Sequence, residues 1–114
     1  MIDGLWTVVF RAGQVSSGGV VVLQSGRAMG GDCWYYYVGS YTLDNAQIKA
    51  KLHVKAFVPN AVTVFGMAAG EFDLDIVGTV ANNEISAVGT TPLYSSLRLQ
   101  MKMVRRAGGS PFQT

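Results

Sequence analysis

From Gln47 to Ala56 the chain alternates strictly between polar and apolar side chains. Ile48, Ala50, Leu52, Val54 and Ala56 fall on one side, and Lys49, Lys51, His53 and Lys55 on the other. A period of two separates these sets only if the backbone is extended, because a helix would wind both around its axis. EFDLDIVG (71–78) repeats the device, with Phe72, Leu74 and Ile76 against Glu71, Asp73 and Asp75. SLRLQMKMV (96–104) does so with Leu97, Leu99, Met101 and Met103 against Arg98, Gln100 and Lys102. GLWTVVFR (4–11) carries the stripe Trp6, Val8 and Phe10, and GVVVLQ (19–24) is β-branched on both faces. No window of helical length has an amphipathic period; the segment 60–69 is the one place where a short helical turn fits. The chain is all-β.

Gly, Asn and Asp tolerate the positive φ of tight turns, and they punctuate these runs at Ser25-Gly26, Gly30-Gly31-Asp32, Asp44-Asn45 and Asn82-Asn83. Short turns between successive strands make an antiparallel meander. The pattern predicts about eight strands, at 4–11, 18–24, 27–30, 33–42, 46–57, 71–81, 84–90 and 95–105. An open sheet of this kind would leave two adhesive edges, so closure into an up-and-down, lipocalin-like barrel is expected. With 114 residues there is room for one core. The barrel is expected to span 1–106, with a flexible tail at 107–114.

A barrel of about eight strands is either filled by its own side chains or holds one small ligand. Trp6 and Phe10 are large enough to fill the interior, whereas Ala50, Ala56 and Ala87 leave room. If the interior is hollow, Trp6, Val8, Phe10, Leu52, Phe72, Leu74, Leu99 and Met101 are the candidates to line it, around a hydrophobic, fatty-acid-like molecule. On the outside, Lys49, Lys51 and Lys55 face the Glu71, Asp73 and Asp75 row if these strands are neighbours. The connection 58–70 is apolar, with Val62, Val64, Phe65 and Met67. It must cover the barrel mouth or another chain.

RAMGGDCWYYYVGSY (27–41) is different, because it is aromatic at consecutive positions. Trp34, Tyr36 and Val38 alternate with Tyr35, Tyr37, Gly39 and Tyr41. Either set can line the interior; the other then projects outward with aromatic bulk. Aromatic residues are enriched where proteins meet, so Trp34, Tyr35, Tyr36, Tyr37, Tyr41 and the loop residue Phe65 are the candidate protein-contact residues.

No pattern announces chemistry. His53 is the only histidine and has no second ligand at zinc spacing; the flanking Lys51 and Lys55 are expected to disfavour its protonation. Cys33, the single cysteine, has neither a base nor a helix N-terminus beside it to activate a thiolate. The serines lack a nucleophile elbow, and the glycine-rich pieces lack the spacing of phosphate loops. No catalytic residue, metal or cofactor is expected. Arg98, Lys102, Arg105 and Arg106 form a basic run, but the net charge of +2 argues against a nucleic-acid binder. The basic n-region of a secretory signal is absent, as is an apolar run of about 18 residues. A cytoplasmic protein without membrane attachment is expected.

The run GRAMGGDCWYYYVGSY (26–41) resembles the signature of the GrlR family, small regulators of bacterial type III secretion. Gly26, Met29, the Gly30-Gly31-Asp32 turn and Tyr37-Val38-Gly39 carry the similarity, with the opening DGLWTVVF (3–10) and LHV (52–54) in comparable places. The likeness covers the first half of the chain, and the second half in strand pattern. It implies a lipocalin-like barrel, a homodimer, and negative regulation through a protein partner, which in the founding members is a transcriptional activator. Their acidic loop after the fourth strand corresponds here to Thr42-Leu43-Asp44-Asn45-Ala46-Gln47, where Asp44 alone matches. The resemblance thus implies a distant branch that kept the scaffold and lost or changed the partner.

Overall fold

The computed structural model describes residues 2–63 and 70–108. Eight strands run in chain order: β1 (Gly4–Ala12), β2 (Val15–Gln24), β3 (Arg27–Gly31), β4 (Tyr35–Asp44), β5 (Gln47–Ala56), β6 (Glu71–Ala81), β7 (Glu84–Thr90) and β8 (Leu99–Gly108). Each pairs antiparallel with the next, and β8 returns to β1, closing the barrel. Closure leaves no unpaired edge. Tight turns at one end depend on residues with positive φ: Ser25 and Gly26, Asn45, and Asn82. Gly and Asn are residues for which the left-handed region costs least; Ser25 takes it directly before Gly26.

Several boundaries shift from the pattern by a few residues, and the starts of β2, β4 and β8 have a local reason. β2 starts at Val15, three residues before the expected start, because the tight turn after Ala12 lets Val15, Ser16 and Ser17 pair with Ala12, Arg11 and Phe10. β4 starts at Tyr35, because Asp32 Oδ1 accepts hydrogen bonds from the backbone N–H groups of Trp34 and Tyr35, both at 2.8 Å. That bonding bends residues 32–34 into a side-chain-capped turn. β8 starts at Leu99, because a 3₁₀ turn at Pro92–Tyr94 precedes it, with the Leu93 N–H donating to Thr91 Oγ1 at 3.3 Å. β8 also continues through Gly108, opposite Gly4, two residues past the expected end of the barrel. The possible helical turn at 60–69 falls partly outside the described residues; 61–63 are not helical.

Alternation decides the interior. Trp6 closes one end of the barrel, where the chain enters; it is wholly buried and shares the buried cluster with Ile2, Leu23, Ile48, Ile85 and Met103. The indole N–H donates to the Ile2 carbonyl at 2.9 Å, and the Arg105 guanidinium lies 5.3 Å from the ring centroid. Arg105 reaches that place because the β1–β8 register shifts between Leu5 and Trp6. The shift leaves Arg106 outside, its Nε donating to Thr7 Oγ1 at 2.9 Å.

β4 and β5 show why the tyrosines turn inward. Their register sets Tyr35 opposite Ala56, Gly39 opposite Leu52 and Tyr41 opposite Ala50. The small side chains of β5 therefore stand where β4 brings large rings, and a leucine stands where β4 has no side chain. At Gly39 a Cβ would lie 1.9 Å from the Lys51 carbonyl oxygen, so only glycine allows the two backbones this close.

Candidate functional site

The end of the barrel opposite Trp6 is hollow. A cavity of about 270 Å³ opens there, walled by β1, β2, β4, β5, β6 and β8, with the β1–β2 hairpin and the start of the 58–70 connection at its rim. Val62 and Thr63 line it, so the connection does reach the barrel mouth. At a liquid share of ~30 Å³ per water, that space equals about nine waters. An apolar cavity of about half this size holds a benzene-sized molecule.

The expected lining residues Val8, Phe10, Leu52, Phe72, Leu74, Leu99 and Met101 all meet in this wall. Trp6 does not: it is the plug of the closed end, two inward positions below Phe10 on the same strand. Ala50 and Ala56 do not line the hollow either. Their missing volume is taken up by the tyrosines opposite them.

Tyr35, Tyr37 and Tyr41 are buried at 5, 7 and 9% exposure. The expectation that they contact a partner is therefore corrected: they belong to the interior. Tyr35 and Tyr37 line the cavity, in edge-to-face contact with Phe72 at 6.1 Å and Phe10 at 6.5 Å respectively. Tyr41 sits at the closed end, its hydroxyl 3.3 Å from Asp3 Oδ1. Trp34 and Tyr36 remain on the exterior at 40 and 39% exposure, and Trp34 also forms part of the cavity rim. Phe65 lies outside the described residues.

A polar group stands in this apolar wall. The Tyr37 hydroxyl donates to Asp32 Oδ2, and Asp32 Oδ1 accepts from the N–H groups of Trp34 and Tyr35. Burial, followed by the bond to Asp32, raises the Tyr37 pKa far above the ordinary value of 10.0, so its proton stays in place. Gly19 makes room for this hydroxyl, since a Cβ there would come within 3.1 Å of it. In the sequence Asp32 has the place of a turn residue, with nothing beside it to mark a site. The available signal was its position five residues before Tyr37, across one tight turn. Val54 was also missed, although it lies on the same alternating stripe as Leu52.

The second face of β4 meets apolar neighbours. In register, Val22, Met29 and Val38 form one outward row across β2, β3 and β4, and Val20, Gly31 and Tyr36 form the next. Val20, Met29, Tyr36 and Val38 are all exposed, as are Trp34 and Phe57 beyond them. This is a continuous apolar surface on the outer side of three strands.

Beyond that patch the exterior turns ionic. His53 Nδ1 lies 2.8 Å from Asp73 Oδ1 and Nε2 lies 2.7 Å from Glu71 Oε2. Both bonds, that to Asp73 first, raise its pKa above the ordinary value, opposite to the direction expected from its lysine neighbours. Lys51 pairs with Asp75 at 3.8 Å, while Lys49 faces Val77 instead of a carboxylate. Cys33 is exposed on the β3–β4 turn. Comparison with protein-family models and with curated proteins finds no match for this chain.

Proposed function

We propose that this protein is a non-enzymatic barrel that acts through contact with other protein chains, in regulation of the kind the GrlR resemblance implies, and as a homodimer. The supporting observation is the outer apolar surface of β2–β4. Met29, Trp34, Tyr36 and Val38 stand together at 39–41% exposure, where a soluble barrel has no structural use for them. Apolar patches of this kind commonly mark interaction sites, and aromatic anchors dominate interface energetics. Size-exclusion chromatography with light scattering tests the reading. The wild type runs as a dimer, and Tyr36→Glu or Val38→Glu shifts it to monomer without loss of fold, since both side chains point outward. A wild-type monomer at high concentration refutes the dimer.

A second reading is favoured by the cavity: the open end binds a small, largely apolar ligand. Its volume and lining suit a compact molecule. Native mass spectrometry of the freshly purified protein detects such a ligand, and repeated recovery of the bare chain counts against it.

A further inference from the structure

Among the described residues lining the cavity, Asp32 is the only acidic or basic side chain; the others are apolar, aromatic or hydroxyl-bearing. No lysine, arginine or histidine is among them. Arg105 is committed to the Trp6 ring at the closed end. Arg98 turns its Nη1 to the carbonyls of Ser95 and Leu97, at 3.4 and 3.3 Å. Lys51, His53 and Lys102 are in ion pairs on the outside. The connection 58–70 contains no charged residue in its sequence. A fatty acid placed in this cavity would bring a second carboxylate toward Asp32 with no cation among the described lining residues to balance either, a costly arrangement in an apolar wall.

The wall suits the opposite charge. Asp32 acts only as an acceptor, since each of its three hydrogen-bond partners donates to it. A carboxylate offers about four lone-pair sites, so one site on Oδ2 remains for a ligand donor. Phe10, Trp34, Tyr35, Tyr37 and Phe72 share the same wall. Aromatic faces attract cations, tryptophan most strongly, and aromatic cages are a recurrent way to hold ammonium groups.

We propose that the cavity binds a small organic ammonium ion, whose N–H donates to Asp32 Oδ2 near Trp34 and Tyr37 while its apolar body, about eight carbon atoms by volume, extends toward Leu74 and Leu99. This rests on the reading of the cavity as a ligand site, and it replaces the fatty-acid-like ligand with one of opposite charge.

Three probes of matched length separate the two claims: octylammonium, 1-octanol and octanoate, titrated into the full chain at pH 7 by calorimetry and by tryptophan fluorescence. The expected order is octylammonium tightest, by about tenfold over 1-octanol, as a charged hydrogen bond provides, with octanoate weakest. Asp32→Asn abolishes the preference for the ammonium and leaves 1-octanol within about twofold of the wild type, because the alcohol draws mainly on the apolar wall. If that variant does not fold, the wild-type ranking decides by itself. Equal binding of the ammonium and the alcohol, or tightest binding of octanoate, overturns the ammonium proposal while the ligand site stands. Failure of all three probes to bind overturns both.

Discussion

Replacing Tyr37 with phenylalanine removes one hydroxyl and keeps the ring that lines the cavity. Two effects follow, and pH separates them. At pH 8 the loss is that of a hydrogen bond to a carboxylate, about 1.5–3 kcal/mol when the acceptor is left dry. Asp32 is only half-buried and keeps its two backbone donors, so water compensates in part and about 1–2 kcal/mol is expected. The second effect acts through the unfolded chain. There Tyr37 ionises near pH 10, whereas in the barrel burial and Asp32 raise its pKa far above that value. At pH 11 the unfolded chain therefore binds fewer protons than the folded one, and stability falls with pH. One unit above the unfolded pKa this amounts to about 1.4 kcal/mol for the wild type. The phenylalanine variant has no proton to lose at this site. Urea denaturation of both proteins at pH 8 and pH 11 should show the gap between them closing by about 1.4 kcal/mol. Comparing the two proteins cancels the lysines and Tyr41, whose pKa is also raised. A gap that stays constant from pH 8 to pH 11 would refute the claim that this hydroxyl is held protonated inside the barrel.

Trp6→Ala should cost about 3–5 kcal/mol, the usual toll of deleting a buried tryptophan, because the ring is wholly enclosed and plugs one end; a loss under about 1 kcal/mol in urea would contradict its enclosure there. Gly39→Ala should cost more than about 3 kcal/mol, since its Cβ would overlap the Lys51 carbonyl. Gly70→Ala is the control: a Cβ there meets nothing within 4 Å, and the change should stay within about 0.5 kcal/mol. Equal tolerance at both glycines would contradict the β4–β5 register. His53 should titrate above pH 6.5 by proton NMR, with Asp73→Asn lowering the midpoint. The sign is that of a raised pKa: its pairing stabilises fully below the unfolded value near 6.5 and is lost as pH rises through the folded one. A midpoint at or below the ordinary value would show that the lysines dominate after all.

What could be read from the sequence followed the distance over which each feature is decided. On β5, β6 and β8 alternation alone separates core from exterior, because polar side chains hold one face, and the inward stripes appear as expected. On β4 both faces are aromatic, so alternation is silent, and the choice was made by β5. Ala50 and Ala56 accept Tyr41 and Tyr35, and Leu52 fills the place of Gly39. That signal was present in the sequence, but it becomes readable only once the register is known. The cavity is a further step removed. Its existence depends on the bulky Trp6 and Tyr41 both lying at the end marked by Ile2 and Asp3 and outside the cavity wall, a sum over strands that no single segment encodes. His53 illustrates the same rule in electrostatics. Its lysine neighbours in the chain lie two residues away, about 7 Å along an extended strand, whereas its cross-strand carboxylates come within 2.8 Å. In a field that falls with distance the neighbours across the sheet prevail. Asp32 belongs with His53 in this respect. As a turn residue it is local, but its second oxygen is claimed by Tyr37, and only that pairing turns a solvent-facing carboxylate into part of a cavity wall.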